Sequence, residues 1–249
     1  SIPYNTFTAF KHAFAVERVM NMGNRSFKQV VGYQNLDELT KIIEPFSLRL
    51  QKKDCLDLPE KTFIPMYVEL TPQQEKIYKN IKDDCIALLN NGDLVTITMA
   101  LTKIVKLHQI LTGFVITDNE SVVNIENNRI KALRQIAETA KPLVVFCAYK
   151  HNVQQIKDEL GKEFKIVTYT GEDSANAKNT AVETFQNGEA DMFLATSAAA
   201  KGLTLHKAST MVYYSNTYSL ETRLQSQDRI HRIGPVSYTH LTLPTTYTV

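Results

Sequence analysis

The sequence predicts an α/β fold in which helices cover both faces of a parallel β-sheet. From residue 128 onward, strand-sized and helical patterns alternate along the chain, which is typical of this class. The strand candidates, such as Leu143–Ala148 and Thr210–Tyr214, are continuously apolar, as expected of strands buried on both faces. We expect a mostly helical segment to precede this region.

Composition favours a folded globular protein and excludes several classes. Of the 249 residues, 43% are hydrophobic and 22% are charged, and no run reaches the roughly 18 apolar residues of a membrane helix. We therefore expect no membrane partner. The three cysteines (Cys55, Cys85 and Cys147) are scattered without metal-ligand spacing and are interpreted as reduced thiols. A net charge of +2 is too small to indicate nucleic-acid binding by itself.

The part of the chain before residue 128 contains a strand and two helices that can be placed from local patterns. Alternation predicts a strand over Phe63–Leu70, and helical spacing extends from there to about residue 90 and again over Val95–Leu111. Thr71, Pro72 and Gln74 match an N-cap, a proline at the first helical position and a capping box. This divides the region into residues 1–63 and 64–127.

The remaining elements define loops at which a ligand is expected. In parallel sheets, ligands bind outside the carboxyl ends of the strands. The predicted helices are Arg129–Thr139, Asn152–Leu160, Ala175–Gln186 and about Ser219–Ile233, and the further strands are Lys165–Tyr169 and Asp191–Ala195. The loops at the carboxyl ends are then Tyr149–His151, Thr170–Ser174, Thr196–Leu203 and Ser215–Tyr218.

The segment Gln225–Gly234 carries the densest chemistry. If it is helical, Gln225, Arg229 and Arg232 lie on one face, and Asp228 can pair with Arg232 four residues later. Two guanidinium groups held in place can donate hydrogen bonds to the oxygens of a phosphoryl group while it is being transferred. A solvated face with ordinary ion pairs is the alternative.

A second segment, Ala195–Ser209, begins where a strand is predicted to end and is rich in small residues. Such a loop lets backbone amides approach a phosphate closely, with Lys201 beside it and Gly202 free to adopt a positive φ. Taken alone, it also fits a tight turn between a strand and a helix.

Together these segments resemble motifs V and VI of helicase superfamily two, specifically of its Swi/Snf-type family. The family pattern of Gln, Asp-Arg, Arg and Gly is met at Gln225, Asp228, Arg229, Arg232 and Gly234. In the same order, Lys141–Lys150 resembles motif IV, and the run YTGEDS resembles the DNA-contacting segment, in which Lys178 stands where the family usually has Arg. The stretch around Arg49 and Lys52 resembles the linker between motor lobes, although Leu50 and Gln51 depart from the usual Arg-Thr.

The resemblance implies a RecA-like fold and a two-lobe motor that moves along double-stranded DNA by hydrolysing ATP. Residues 128–235 would be the C-terminal helicase lobe, and residues 1–63 a remnant of the first lobe with the inter-lobe linker. Arg229 and Arg232 would act as arginine fingers, each worth on the order of a thousandfold in turnover. Gln225, Asp228 and Gly202 would lie at the nucleotide cleft. The residues implied to face DNA phosphates are Lys150, Thr170, Gly171, Thr196, Ser197 and Lys201.

Two motifs that the family needs are missing from the sequence. No P-loop pattern of Gly, four residues and Gly-Lys-Ser/Thr occurs, and no DExx box ends a buried strand. We therefore expect a truncated chain whose first RecA-like lobe, upstream in cis, binds ATP and most of the Mg²⁺. The chain alone is predicted not to hydrolyse ATP, and the whole protein is expected in the cytoplasm of a bacterial or phage-infected cell, associated with the nucleoid.

The end of the chain departs from the family pattern. Residues 236–249 carry no Asp, Glu, Lys or Arg, and Val236–Thr246 resembles the translation of a transposase-based sequencing adapter. We interpret residues 236–249 as a non-native tail. Pro235 is interpreted as the product of a hybrid codon in which native and adapter bases meet. The alternative is a native β-rich terminus.

Two other functions remain as alternatives. A non-catalytic nucleic-acid-binding α/β module would also grip phosphates, but it gives no reason for Arg229 and Arg232 beside Gln225. A nucleotide-sugar or cofactor-binding enzyme would favour a glycine-rich turn after the first strand, where the sequence has Tyr149-Lys150-His151.

Overall fold

A computed structural model describes residues 3–22, 25–48, 60–91, 94–200, 202–230 and 238–242, and the chain divides into two compact units, Ser1–Asp57 and Leu58–Val249. The helices are α1 (Phe7–Phe14), α2 (Leu36–Ile43), α3 (Pro72–Asn91), α4 (Leu94–Leu111), α5 (Arg129–Ala140), α6 (Lys150–Leu160), α7 (Ala175–Gln186) and α8 (Leu220–Gln227). The strands are β1 (Ala15–Met22), β2 (Arg25–Tyr33), β3 (Lys61–Pro65), β4 (Phe114–Ile116), β5 (Val122–Asn124), β6 (Leu143–Phe146), β7 (Ile166–Tyr169), β8 (Met192–Ala195), β9 (Thr210–Tyr213) and β10 (Tyr238–Thr242).

The first unit contains an antiparallel hairpin. The prediction of a mostly helical segment is therefore wrong for this part of the chain. Strands β1 and β2 pair from Ala15 with Tyr33 to Met22 with Arg25, with an irregularity between Val16 and Glu17. Helices α1 and α2 flank the hairpin in sequence. The paired strands contain several valines, whose branched β-carbons favour extended backbone.

The second unit opens as the sequence predicts, apart from the bounds of its first strand. Strand β3 spans Lys61–Pro65 rather than Phe63–Leu70, and it ends at a proline, which has no N–H for the ladder. The capping box before α3 is confirmed, because the Gln74 N–H donates to Thr71 Oγ1 at 3.2 Å and the Thr71 N–H donates to Gln74 Oε1 at 3.1 Å. Helix α4 packs against α3.

The predicted parallel sheet is confirmed. Its strands lie in the order β3, β10, β9, β6, β8, β7, and each neighbouring pair is parallel. Alternate residues of β6 point to opposite faces: Leu143 and Val145 join a core with α5 and α6, whereas Val144 and Phe146 join a core with α7. Helices therefore cover both faces. Among the described helices, none is both long and apolar enough to cross a bilayer.

Strand β10 falls in the segment that we interpret as a non-native tail. It pairs with β3 on one side and with β9 on the other. A run of threonine, tyrosine and leucine favours strand conformation whatever its origin. The interpretation of residues 236–249 therefore stays a prediction from the sequence.

We predict that Gly113→Ala destabilises the second unit. Gly113 has a φ of +95°, and an added Cβ would lie 1.9 Å from the side-chain nitrogen of Asn127. Asn127 cannot easily move, because its Oδ1 accepts hydrogen bonds from the Arg129 N–H and the Tyr214 hydroxyl. Left-handed backbone and overpacking together should lower the free energy of unfolding by about 2 to 4 kcal/mol, as measured by urea denaturation.

The matched control is Gly171→Ala, where nothing lies within 4 Å of an added Cβ. That substitution should change the free energy of unfolding by less than about 0.5 kcal/mol. Equal stability of the two variants would contradict the role assigned to Gly113.

Candidate functional site

Four parallel strands end at one edge of the sheet and bring the predicted phosphate-binding loops together. The last residues of β6, β8 and β9 lie in register, because Phe146 pairs with Ala195 and with Tyr213. Tyr169, which ends β7, also pairs with Ala195. The residues that follow these strands include Lys150, Thr170, Gly171, Thr196 and Ser197, so the sheet brings these loops to one edge, as predicted.

Lys150 opens helix α6, two residues earlier than the helix predicted from Asn152. Its ammonium group forms an ion pair with the carboxylate of Glu172, and 70% of each side chain is exposed. Glu172 belongs to the loop after β7. The lysine predicted to contact DNA is therefore already paired with a carboxylate of the same chain. Sequence spacing gave no indication of this pair, since the two residues are 22 positions apart.

Thr170 is also engaged within its own loop. Its backbone N–H and its hydroxyl both donate to Asp173 Oδ2, at 2.6 and 2.8 Å. Gly171 is exposed, with open space where a Cβ would lie. Of these two predicted phosphate contacts, Gly171 is the one on the open surface.

The loop after β8 begins with a buried residue and an exposed one. Thr196 is 9% exposed, and its N–H donates to the Tyr169 carbonyl at 3.2 Å. Ser197 is exposed and starts a short 3₁₀ turn, Ser197–Ala200. Lys201 lies outside the described residues. Gly202 has a φ of +77°, which confirms the expected positive φ, and space is open around it.

Arg229 joins this loop to the end of helix α8. Its guanidinium donates from Nη1 to the Leu203 carbonyl at 3.0 Å and from Nε to the Gln225 carbonyl at 3.1 Å. The Arg229 carbonyl in turn accepts from the Leu205 N–H at 2.9 Å. The two sequence segments predicted to act together therefore make direct contact.

The helix predicted to reach Ile233 ends at Gln227. The prediction that Gln225 and Arg229 lie on one face of a continuous helix is therefore wrong. Arg232, the third residue predicted for that face, is not among the described residues. In a longer helix the Arg229 N–H would bond the Gln225 carbonyl. Here the Arg229 side chain takes that carbonyl, and the Arg229 N–H bonds Ser226 instead, at 3.0 Å. Ile230 is fully buried in the core, which draws the chain inward.

Asp228 contacts a partner that the sequence did not indicate. Its Oδ1 lies 3.3 Å from the ammonium nitrogen of Lys61, which opens β3. The partner expected from spacing, Arg232, lies outside the described residues. The predicted pair of Asp228 with Arg232 stays a prediction.

Gln225 presents a buried acceptor. Its Nε2 donates to Glu221 Oε1 at 2.7 Å, whereas its Oε1 is buried with no hydrogen-bond partner in the described part of the chain. Buried acceptors are rarely left unsatisfied in folded proteins. An arriving ligand or neighbouring domain that supplies a donor would satisfy this atom.

A small cavity at the same edge holds a basic residue that the sequence analysis missed. Besides hydroxyl groups of Ser197 and Thr222, it is lined by Arg223, whose guanidinium carbon lies 3.3 Å from the ring centre of Tyr213. Burial lowers the pKa of Arg223 below its usual value. Its position two residues before Gln225 was the available signal.

An aromatic cluster lies beside the first of these loops. His108 Nδ1 lies 2.7 Å from the Tyr149 hydroxyl, and its ring centre is 5.5 Å from that of Tyr218, a residue that is 74% exposed. Burial, helped by the charge of Arg129, lowers the pKa of His108 to about 4, so the ring is neutral at pH 7. Burial likewise raises the pKa of Tyr149 to about 12.

No metal centre is evident in the described part of the chain. Among those residues, no group of three or more His, Cys, Asp or Glu side chains is placed to hold a metal ion.

Comparisons with known proteins identify two family regions. The SNF2-related domain matches residues 2–118, and the helicase conserved C-terminal domain matches residues 128–234. An uncharacterised ATP-dependent helicase of Mycoplasma genitalium is 25% identical over 218 residues, which cover 84% of this chain and 21% of that protein. The human SWI/SNF-related matrix-associated actin-dependent regulator of chromatin subfamily A member 1 is 26% identical over 226 residues, covering 83% and 22%.

Solved structures share the fold. The C-terminal part of the Fun30 ATPase domain matches with a TM-score of 0.62 and 15% identity, covering 76% of this chain and 86% of that one. The SWI2/SNF2 ATPase core of Sulfolobus solfataricus in complex with double-stranded DNA matches with a TM-score of 0.59 and 22% identity, covering 84% and 47%.

The chain spans about a fifth of the length of the Mycoplasma and human relatives. The two domain matches are consecutive, and together they leave few residues unmatched. They agree with the motif order found in the sequence and with the RecA-like sheet. The chain belongs to the Swi/Snf-type family of ATP-dependent helicases and ATPases, in which an SNF2-related domain is joined to a helicase conserved C-terminal domain.

Proposed function

We propose that this chain forms the C-terminal motor lobe of an ATP-driven translocase that acts on double-stranded DNA. In this proposal residues 128–235 contribute arginine fingers and DNA-backbone contacts, and an N-terminal RecA-like lobe in cis holds most of the nucleotide. The working protein would act in the cytoplasm of a bacterial or phage-infected cell, at the nucleoid.

The observation that carries the proposal is the loop between β8 and β9. It begins with Thr196 and Ser197, which are assigned to DNA, and Arg229 binds its later part at the Leu203 carbonyl. A change in the position of Arg229 would therefore be transmitted along a loop of about eight residues to the DNA-facing edge. A motor needs such a connection between its nucleotide and its track.

At the nucleotide cleft, Arg229 and Arg232 would neutralise the charge that develops on the transferred phosphoryl group. Planar guanidinium groups suit this role because their donors match phosphate oxygens in a fixed geometry. The buried Oε1 of Gln225 would accept a hydrogen bond in the assembled cleft, and Gly202 would let the backbone approach closely. Asp228 would help to set the end of α8 through its contact with Lys61.

The DNA track would run along the carboxyl edge of the sheet. Lys150, Gly171, Ser197 and Lys201 would contact phosphates, with Thr170 and Thr196 shaping the loops that present them. Contacts of this kind position a protein on the backbone without reading sequence. The Sulfolobus relative, described as a complex with double-stranded DNA, supports this partner.

Magnesium would accompany ATP and be held chiefly outside this chain. The described residues offer no acidic cluster for it, and the sequence has no P-loop hydroxyl that would bind it. The ion, when bound with ATP, supplies charge neutralisation at the phosphates.

In a protein that contains both lobes, Arg229→Ala and Arg232→Ala should each lower DNA-stimulated ATP turnover on the order of a thousandfold. DNA affinity, measured by fluorescence anisotropy, should stay close to wild type. Arg229→Lys should also be impaired, because an ammonium group lacks the planar fork. Arg134→Ala is the control, since Arg134 pairs with Glu163 on the surface. Wild-type turnover in both alanine variants would refute the finger assignment.

Lys150→Ala should weaken binding of duplex DNA to a similar extent for any sequence. Loss of one phosphate contact should reduce the slope of log K against log salt concentration by up to about 0.9. Lys162→Ala removes an exposed charge from the segment before β7, at the opposite edge of the sheet, and should leave the slope unchanged. Equal slopes for the two variants would contradict the assignment of Lys150.

The 249-residue chain by itself should show no ATP hydrolysis, with or without DNA, because it lacks the P-loop that holds the phosphates. A coupled-enzyme assay of ATP hydrolysis by the purified chain tests this prediction. Addition of a separately expressed first lobe serves as the positive control. Turnover by the chain alone that Arg229→Ala abolishes would refute the division of labour between lobes.

A further inference from the structure

We propose that Glu172 is an internal competitor for the DNA phosphate at Lys150 and thereby limits the affinity of this edge for DNA. The inference rests on the proposed function, because it concerns the partner of the same site. It assigns a role to a carboxylate that lies where a DNA-binding surface would ordinarily be basic.

Lys150 lies at a helix end that favours an anion. It is the first residue of α6, where unpaired backbone N–H groups and the helix dipole favour an anion. The first turn of α6 contains no acidic residue, and its N-cap residue, Tyr149, makes no side-chain capping bond. A positive side chain at this end of a helix is electrostatically unfavourable unless an anion approaches from elsewhere.

Glu172 brings a carboxylate to Lys150. Glu172 comes from the loop between β7 and α7, and its carboxylate forms an ion pair with the Lys150 ammonium. A phosphate oxygen of DNA would use the same ammonium group and the same helix end. Carboxylate and phosphate therefore compete for one position, and Glu172 has to be displaced before Lys150 can grip the backbone.

The neighbouring Asp173 has a different role. It accepts both donors of Thr170 and so fixes the shape of the loop from which Glu172 projects. Replacing Asp173 would disturb that loop, which makes Glu172 the residue to test. Because Glu172 is 70% exposed, Glu172→Gln should leave the fold intact.

The size of the effect follows from exposure. Ion pairs open to solvent are weak, so the competition should lower DNA affinity by about two- to fivefold. An ammonium group that is already neutralised also releases fewer salt ions when DNA binds. Glu172→Gln should therefore strengthen binding and steepen its salt dependence by up to about 0.9 in the log–log slope.

The test is a double-mutant cycle on the 249-residue chain, with anisotropy of a labelled random-sequence duplex measured at several salt concentrations. The variants are wild type, Lys150→Ala, Glu172→Gln and the double variant, with thermal melting as the folding check. Glu189→Gln is the charge-matched control, because Glu189 is exposed in the segment before β8, at the opposite edge of the sheet. We expect Glu172→Gln alone to tighten binding two- to fivefold, and the double variant to bind like Lys150→Ala.

Three other outcomes would overturn the proposed competition. If Glu172→Gln tightens binding equally with and without Lys150, the carboxylate only repels DNA at a distance, and the competition is refuted. If Lys150→Ala weakens binding but Glu172→Gln has no effect, the inference fails while the proposed DNA site stands. If Lys150→Ala leaves binding unchanged, both are overturned.

Discussion

The architecture of the candidate site depends on the contacts of one guanidinium group. Arg229 takes the Gln225 carbonyl that a longer α8 would have used for its backbone, and it binds the Leu203 carbonyl from the neighbouring loop. A lysine could not hold two carbonyls in this way, because its donors lie on a single atom rather than on a rigid fork. The end of the helix and the path of the loop are thus set by the side chain that we assign to the nucleotide.

In the proposed motor, the contacts of Arg229 would couple the nucleotide to the DNA-facing loop. A phosphate that drew the guanidinium outward would compete with the Gln225 and Leu203 carbonyls for the same donors. The loop that begins at Thr196 and Ser197 would then lose a contact at its far end. Coupling of this kind would need a change of partners for one side chain and no movement of the sheet.

The sequence predicted strands β6 to β9 and helices α5 to α7 to within a few residues, because their signals are local. Buried parallel strands such as Leu143–Phe146 are continuously apolar, and the Thr71–Gln74 capping box lies within four residues. The misses arise from contacts that are distant in sequence. Helix α8 ends early through Arg229 and the burial of Ile230, and Lys150 meets Glu172 from another loop. Spacing along one element carries no information about such partners.

The buried oxygen of Gln225 helps to choose between a motor lobe and a simple DNA-binding module. An acceptor buried without a partner costs about 1 to 3 kcal/mol, and Gln225 Oε1 is such an atom in the described part of the chain. A module that only gripped DNA along the strand ends would gain nothing from it. In the proposed motor, the nucleotide or the first lobe would bring a donor to this atom, and assembly of the cleft would relieve the penalty. The buried acceptor would then favour closure of the lobes on a nucleotide.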